Sequence, residues 1–294
     1  MKKILAIAVA TAISAPAMAD LTIGGSAEYN YANAEGTTTG SLETNLDITA
    51  SATAENGTFV KAYTQLEMIN GGDASFASTT ANPSGLDIDD NYLQLGNSAA
   101  ALTVGYFGTK AAWLAGDDSW APTATVAGYS ANTLDDGGDK EFALDITAIE
   151  NLAVQISGNY TSGAAKDYTV YAAYTAGDVV IAANLEEDKG ADATSGYAVS
   201  ASTTMGGVAL SAAYAQNQVD GSARSASTIL NVGYDAISAS VRYNDVADTN
   251  ETLVYGSYNV GNLGVAGLNV DVGAGYGSES ATKSVMGVEV TYAF

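Results

Sequence analysis

The sequence predicts an all-β protein, a transmembrane antiparallel up-and-down β-barrel, and three observations support this fold class. Near the carboxyl end, apolar side chains occupy every second position from Met286 to Phe294, with small or polar residues between them. A period of two places alternate side chains on opposite faces of a strand, so this strand requires an apolar medium on one face and water on the other. The other two observations are a secretion signal and a composition suited to many strands.

The amino terminus has the layout of a cleaved signal peptide. Two lysines precede an apolar run over residues 4–13, and small residues around Ala19 form a cleavage site before Asp20. The run is too short for a transmembrane helix, and no later run approaches about 18 apolar residues. We therefore expect residues 1–19 to be removed and residues 20–294 to form one outer-membrane barrel domain.

The composition narrows the class of protein further. There are 18 Tyr against two Trp and five Phe, together with 32 Gly and only three Pro. This suits many strands with small side chains in the lumen and tyrosines at the membrane interfaces. The chain has 33 acidic and ten basic residues and a net charge of −23, which argues against nucleic acid as a partner.

The chain contains no Cys and no His. A closed barrel needs no disulfide, because closure satisfies the backbone hydrogen bonds of every strand. The absence of these residues removes Ser-His-Asp and Cys-His nucleophile systems, HExxH metalloprotease sites and most zinc sites. We therefore predict that the protein is not an enzyme.

Alternation of apolar and polar residues recurs in runs of about ten residues, joined alternately by short turns and longer loops. We interpret the runs as sixteen strands, with fourteen as the alternative; an even count places both termini in the periplasm. The longer loops include residues 70–85, 108–139 and 187–195. The sixteen segments are 21–31, 41–54, 58–69, 86–95, 101–107, 140–147, 152–161, 167–175, 179–186, 196–204, 208–216, 223–234, 237–245, 251–260, 265–277 and 282–294.

The two faces of a strand follow from its alternation. On segment 237–245, Ile237 and Val241 are predicted to face lipid, whereas Ser240 and Arg242 face water. A polar inner face is what a channel needs, whereas a soluble β-sandwich would bury its apolar face against a second sheet. A soluble adhesin or sandwich is the structural alternative.

Segment 86–95 breaks the alternation. Leu86 and Ile88 set a phase that Leu93 and Leu95 invert. This predicts a bulge or a subunit contact at residues 90–92. Alternatively, the first residues of the segment still belong to the preceding loop.

Taken together, the signal peptide, the strand count, the long third loop after a short fifth strand and the ending Tyr292-Ala293-Phe294 resemble the Gram-negative general-diffusion porins, especially the compact acidic Rhodobacter type. The resemblance covers the whole mature chain. It implies a homotrimer of sixteen-stranded barrels that lets small hydrophilic solutes diffuse passively. It also implies that the barrel assembly machinery reads Phe294, with Tyr292 as a second candidate.

The third loop, residues 108–139, is a candidate functional segment. A loop of about 30 residues without a helix of its own is uncommon and usually functional. The resemblance implies that it folds into the lumen and places carboxylates at the constriction, opposite basic residues on the barrel wall. The candidate carboxylates are Asp117, Asp118, Asp135, Asp136 and Asp139.

The present sequence has few basic residues that could line the wall opposite these carboxylates. The inward phase of the early strands carries the anions Glu28, Glu43, Asp47 and Glu67, whereas Lys61 and Arg242 are the predicted wall cations. Carboxylates around a narrow passage raise the local concentration of cations and repel anions. The alternative is an acidic lumen that is simply solvated surface.

A calcium site is a further candidate. Asp135, Asp136, Asp139 and Glu141 supply enough hard oxygen ligands for Ca²⁺ around one turn. The alternative is a plain acidic turn, and no other cofactor is expected.

The sequence therefore predicts a passive outer-membrane channel for small hydrophilic solutes, biased toward cations. Its expected partners are outer-membrane lipid, two further copies of the chain and the barrel assembly machinery. One alternative is a substrate-specific channel, in which Trp113, Trp120 and Tyr129 would bind sugars. The other is a structural or adhesive barrel that does not conduct.

Overall fold

The chain forms a closed antiparallel barrel in which every strand pairs with its neighbours in sequence and the first strand pairs with the last. This computed structural model describes residues 20–34, 37–70, 86–112, 140–159, 167–188, 194–219, 224–246, 249–278 and 284–294. Within those ranges, no helix is long and apolar enough to cross a membrane. The predicted fold class is therefore confirmed.

The described residues contain sixteen strands, and each overlaps one of the predicted segments. The strands are β1 (Asp20–Ala34), β2 (Thr37–Thr53), β3 (Phe59–Asn70), β4 (Leu86–Gly96), β5 (Ala100–Phe107), β6 (Lys140–Ile149), β7 (Leu152–Gly158), β8 (Asp167–Ala176), β9 (Val179–Asp188), β10 (Thr194–Met205), β11 (Val208–Val219), β12 (Arg224–Tyr234), β13 (Ile237–Val246), β14 (Thr249–Asn259), β15 (Leu268–Gly277) and β16 (Ser284–Ala293).

The start of β15 differs from the predicted start. The alternation suggested residue 265, but the strand begins at Leu268. Three glycines of the preceding connection, Gly261, Gly264 and Gly267, have φ angles of 88, 82 and 80°. These values lie in the left-handed region, which glycine adopts at no steric cost and which a strand cannot contain. The connection is therefore a turn.

The barrel closes along the pairing of β1 with β16. The pairing runs from Ser26 opposite Ala293 to Ala34 opposite Val285. Beyond it, Gly25 and Phe294 exchange two backbone hydrogen bonds of 3.0 Å. A Cβ atom on Gly25 would lie 2.2 Å from the Asn45 carbonyl oxygen and 2.8 Å from the Phe294 ring, so only glycine fits this position. Phe294 thus has a structural role at the seam, and its recognition by the assembly machinery stays a prediction.

The outer surface is a band of exposed aliphatic side chains between two tyrosine girdles. Such a band is typical of a barrel surrounded by lipid. At the end with the longer connections the exposed tyrosines are Tyr31, Tyr106, Tyr168, Tyr197, Tyr243 and Tyr276, and at the end with the short turns they are Tyr174, Tyr234, Tyr258 and Tyr292. Between them lie Val170, Ile181, Val199, Leu210, Leu230, Val232, Val241 and Val254.

The break in alternation on β4 is a β-bulge. Thr64 pairs with Asn91 but Leu66 pairs with Ile88, so two residues of β4 lie opposite one residue of β3. The bulge occupies residues 89–90 and overlaps the predicted position at residue 90. The loop alternative is wrong because β4 is continuous from Leu86. Because of the extra residue, the apolar side chains before the bulge and those after it both face lipid.

The assignment of faces is testable on β13. Val241 is 42% exposed on the outer surface between the girdles, whereas Ser238 lies on the inner face and its Oγ contacts that of Ser257 at 2.6 Å. Val241→Arg should make insertion and folding less favourable by about 2–4 kcal/mol, which is the cost of placing a charge near the bilayer midplane. Ser238→Arg should fold normally. The check is folding into lipid vesicles during a urea titration, and equal losses would contradict the assigned faces.

Candidate functional site

One side of the inner wall carries a continuous row of carboxylates across β15, β16, β1, β2 and β3. We call it the acidic stripe; its members are Asp271, Glu289, Glu28, Glu43, Asp47 and Glu67. Two pairs lie directly opposite each other on neighbouring strands, Asp271 with Glu289 and Glu28 with Glu43. Like charges in such positions repel. The stripe therefore creates a strong negative potential on one side of the lumen.

The acidic stripe unites residues that the sequence treated separately. The four predicted wall anions all lie in it, and their part in permeation stays a prediction. Sequence reasoning did not select Asp271 and Glu289 as site residues. The alternation on β15 and β16 could have found them, since each stands between residues of the lipid-facing phase.

Side-chain amides hold four of these carboxylates in place. The donor to acceptor distances are 2.6 Å from Asn30 Nδ2 to Glu28 Oε1, 2.7 Å from Asn45 Nδ2 to Glu43 Oε1, 2.9 Å from Gln65 Nε2 to Asp47 Oδ1 and 3.0 Å from Asn259 Nδ2 to Asp271 Oδ1. No salt bridge between described residues involves these four carboxylates. Because an amide is neutral, it orients a carboxylate without cancelling its charge, which remains available to mobile cations.

The two predicted wall cations both lie on the inner face. Lys61 Nζ donates a hydrogen bond of 2.9 Å to Tyr92 Oη. Arg242 is partly buried opposite Leu253, which stands between Glu251 and Tyr255 on the same face of β14. The Arg242 side chain therefore packs against neighbouring residues of the inner wall.

A third cation, Lys140, was missed by the sequence reasoning. It is only 2% exposed, and its Nζ lies 2.7 Å from Asp167 Oδ2 and 3.7 Å from Glu186 Oε1. The alternation gave no signal for it, because Lys140 is the first residue of β6 and its partners are on β8 and β9. The triad fixes the first residue of β6 to β8 and β9.

The first residues of the third loop lie against the inner wall. The Lys110 backbone N–H donates to Gln155 Oε1 at 2.8 Å and the Ala112 N–H to Asn184 Oδ1 at 2.9 Å. Lys110 Nζ also forms a salt bridge of 2.5 Å with Asp145. Ala112 packs onto a patch of small inner-wall residues formed by Ala182, Ala198, Ala213, Ala215 and Ile229.

The remainder of the third loop, residues 113–139, lies outside the described residues. This includes the five candidate constriction carboxylates and the two Trp residues. The constriction therefore stays a prediction, as does the calcium site, of which only Glu141 is described. Among the described residues, no group of three or more His, Cys, Asp or Glu side chains is arranged to hold a metal ion.

A lipid-facing barrel with a charged inner wall defines a class of protein, the outer-membrane channels. A family model described as Gram-negative porin matches residues 6–294, and the chain therefore belongs to this family. Family and fold are those of an outer-membrane diffusion channel rather than an enzyme.

Solved structures share this fold. A loop-deletion mutant of OmpT, an outer membrane protein of Vibrio cholerae, is similar with a TM-score of 0.68 and 14% identity, over 94% of this chain and 99% of that chain. A mutant of the Rh. blastica porin is similar with a TM-score of 0.69 and 14% identity, over 94% of this chain and 100% of that chain. No match was found among curated proteins.

The Lys140 triad makes a stability prediction. Lys140→Met should lower the free energy of unfolding by about 3–5 kcal/mol, because two carboxylates that are only 14% and 12% exposed lose their buried cation. Lys110→Met is the matched control; Lys110 is 48% exposed, so losing its single salt bridge should cost no more than about 1 kcal/mol. Urea unfolding of the purified barrel in detergent measures both. Equal losses would contradict the structural role of Lys140.

Proposed function

We propose that the protein is a passive channel for small hydrophilic solutes that favours cations over anions. The acidic stripe is the observation that carries this proposal. Its carboxylates lie on adjacent strands, so their potentials add over the same part of the lumen. The low-dielectric barrel wall focuses this potential into the water-filled passage.

The balance of inner-wall charges supports the same bias. Lys110 and Lys140 form salt bridges with carboxylates, so each offsets charge on its own side of the lumen. Lys61 contacts tyrosines instead. The acidic stripe thus exceeds the positive charge available to balance it, and rings or rows of acids select cations in other channels.

The cation bias is tested by the reversal potential in a salt gradient. The K⁺ to Cl⁻ permeability ratio should exceed one at low salt and fall toward one as salt rises, because the Debye length shortens from about 30 Å at 0.01 M to about 3 Å at 1 M. Glu28→Gln with Glu43→Gln should lower the ratio, since both charges lie directly opposite each other on the lumen wall.

The matched control is Asp178→Asn, an exposed carboxylate in the turn between β8 and β9. It should leave the permeability ratio unchanged. Anion preference at low salt, or an equal effect of the control, would contradict the proposal. Absence of conductance would instead favour the adhesive alternative. Block by a sugar would favour the substrate-specific alternative, whose aromatic residues lie outside the described ranges.

We also propose that the channel is a homotrimer joined through the outer face of β1–β5. Thr44, Thr64 and Asn91 present polar side chains on this face. The tyrosine girdle at the short-turn end includes β8, β12, β14 and β16 but, in the described residues, no strand of β1–β5. A face that lacks the girdle at its short-turn end and carries polar groups in its apolar band suits contact with protein rather than lipid.

A bulky side chain at this face should weaken the trimer. Thr64→Trp should shift the purified protein toward monomer in native mass spectrometry, because the ring blocks close approach of a second barrel. Val232→Trp, on the far side of the barrel, should remain trimeric because lipid accommodates the ring. Wild-type protein that is monomeric in mild detergent at every concentration would disprove the trimer.

A further inference from the structure

We propose that the lumen wall at β3 and β4 contains a binding subsite for small organic ammonium ions, formed by Tyr63 and Tyr92 beside Asp47. In the resting protein the subsite is filled by the ammonium of Lys61. This inference rests on the proposed passage of cations through the lumen and names a class of solute that the wall would retain.

The two tyrosine rings form a pair around one ammonium group. Their centroids lie 5.1 Å apart with a tilt of 34°. Lys61 Nζ lies 5.2 Å from the Tyr63 centroid and 5.3 Å from the Tyr92 centroid. A cation within about 6 Å of an aromatic centroid is attracted by the negative face of the ring. Two rings at this range, with the Tyr92 hydroxyl accepting a hydrogen bond, constitute an ammonium site.

The geometry of the subsite is built by the bulge on β4. Ile88 faces lipid, and without an extra residue Tyr92, four positions later, would face lipid as well. The bulge at residues 89–90 inverts the phase and turns Tyr92 toward Tyr63 in the lumen. Re-aiming one side chain in this way is a common use of a bulge near a functional site.

The strand behind Tyr92 supports its position. Phe107 is 5% exposed and packs edge-on against the Tyr92 ring at 5.7 Å. Gly105 has a φ of 141°, and a Cβ there would lie 2.2 Å from the Asn91 carbonyl oxygen and 2.6 Å from Tyr92 Cα. Only glycine lets β5 approach this closely, so the Tyr92 ring is fixed in place.

Asp47 supplies negative charge next to the hydroxyl group of Tyr63. Its Oδ1 accepts hydrogen bonds from the Tyr63 hydroxyl at 2.5 Å and from Gln65 Nε2 at 2.9 Å. Asp47 also belongs to the acidic stripe, which raises the concentration of cations at this wall. A carboxylate that accepts a hydrogen bond from the phenol hydroxyl makes the ring face more attractive to a cation.

Lys61 is the resident occupant, and it is held weakly enough to be displaced. Among the described residues it has no carboxylate within 4.0 Å, and it is partly exposed on a flexible stem. An alkylammonium ion from solution presents the same group, since it donates to the Tyr92 hydroxyl and places its charge close to both rings, as the Lys61 ammonium does. We therefore assign the subsite to small primary alkylammonium ions.

The test uses n-butylammonium, which reproduces the lysine side chain, on the purified barrel in detergent at constant ionic strength. Saturation-transfer difference NMR measures its affinity without requiring conductance. Lys61→Ala should bind the ion about tenfold more tightly than the wild type, because the resident ammonium is gone. Lys61→Arg should bind it no more tightly than the wild type. Neutral n-butanol should show no such gain.

The rings are tested in the same background. Lys61→Ala combined with Tyr63→Leu and Tyr92→Leu should lose the gain in affinity, whereas Lys61→Ala with the girdle change Tyr243→Leu should keep it. Heat-modifiable migration on gels shows that each variant has folded. Equal binding by the ring-deleted and ring-containing variants would overturn the subsite, because the gain would then reflect only the lower positive charge of the lumen.

Conductance separates this inference from the proposed cation bias. If the barrel is cation-selective in KCl but n-butylammonium binds all variants equally, the subsite is wrong and the bias stands. If the barrel shows no cation preference yet Lys61→Ala binds the ion through both rings, the bias is wrong and the subsite stands. In a conducting Lys61→Ala channel, n-butylammonium should also reduce the K⁺ current.

Discussion

Closure of the sheet between β1 and β16 is the constraint on which the rest of the structure depends. In a bilayer, an unpaired strand edge would leave a row of backbone N–H and C=O groups without water or protein partners. The barrel avoids this through a continuous ladder that ends with the exchange of hydrogen bonds between Gly25 and Phe294. Once the sheet is closed, every inward side chain shares one enclosed lumen.

Enclosure brings the charged side chains of neighbouring strands together around one lumen. The carboxylates of the acidic stripe are attached to five neighbouring strands, and closure brings β15 and β16 beside β1–β3. The opposite wall has a different character, with small residues, side-chain amides and the salt bridges of Lys110 and Lys140. One wall therefore carries carboxylates that form no salt bridge among the described residues, while the opposite wall contacts the first residues of the third loop.

Two departures from regular strand geometry position the aromatic residues beside Lys61. The bulge on β4 turns Tyr92 inward, and Gly105 allows β5 to pack closely behind it. Such irregularities cost ladder hydrogen bonds, so a barrel keeps them where they position a side chain. They place an aromatic cluster on the lumen wall beside the acidic stripe.

The sequence by itself determined the fold class, the approximate strand segments, their lipid and lumen faces and the position of an irregularity on β4, whose nature as a bulge only the structure decided. These follow from a period of two, which is a local property that can be read within a single strand. Most strand ends differ from the predicted ends by one to four residues, and before Leu268 the cause is a turn of glycines with positive φ. Only the tertiary structure decided which side chains meet, because contacts between strands depend on register and closure. The Lys140 triad, the pairing of Glu28 with Glu43 and the Tyr63–Tyr92 cluster all join residues that are distant in sequence, and no local pattern encodes those distances.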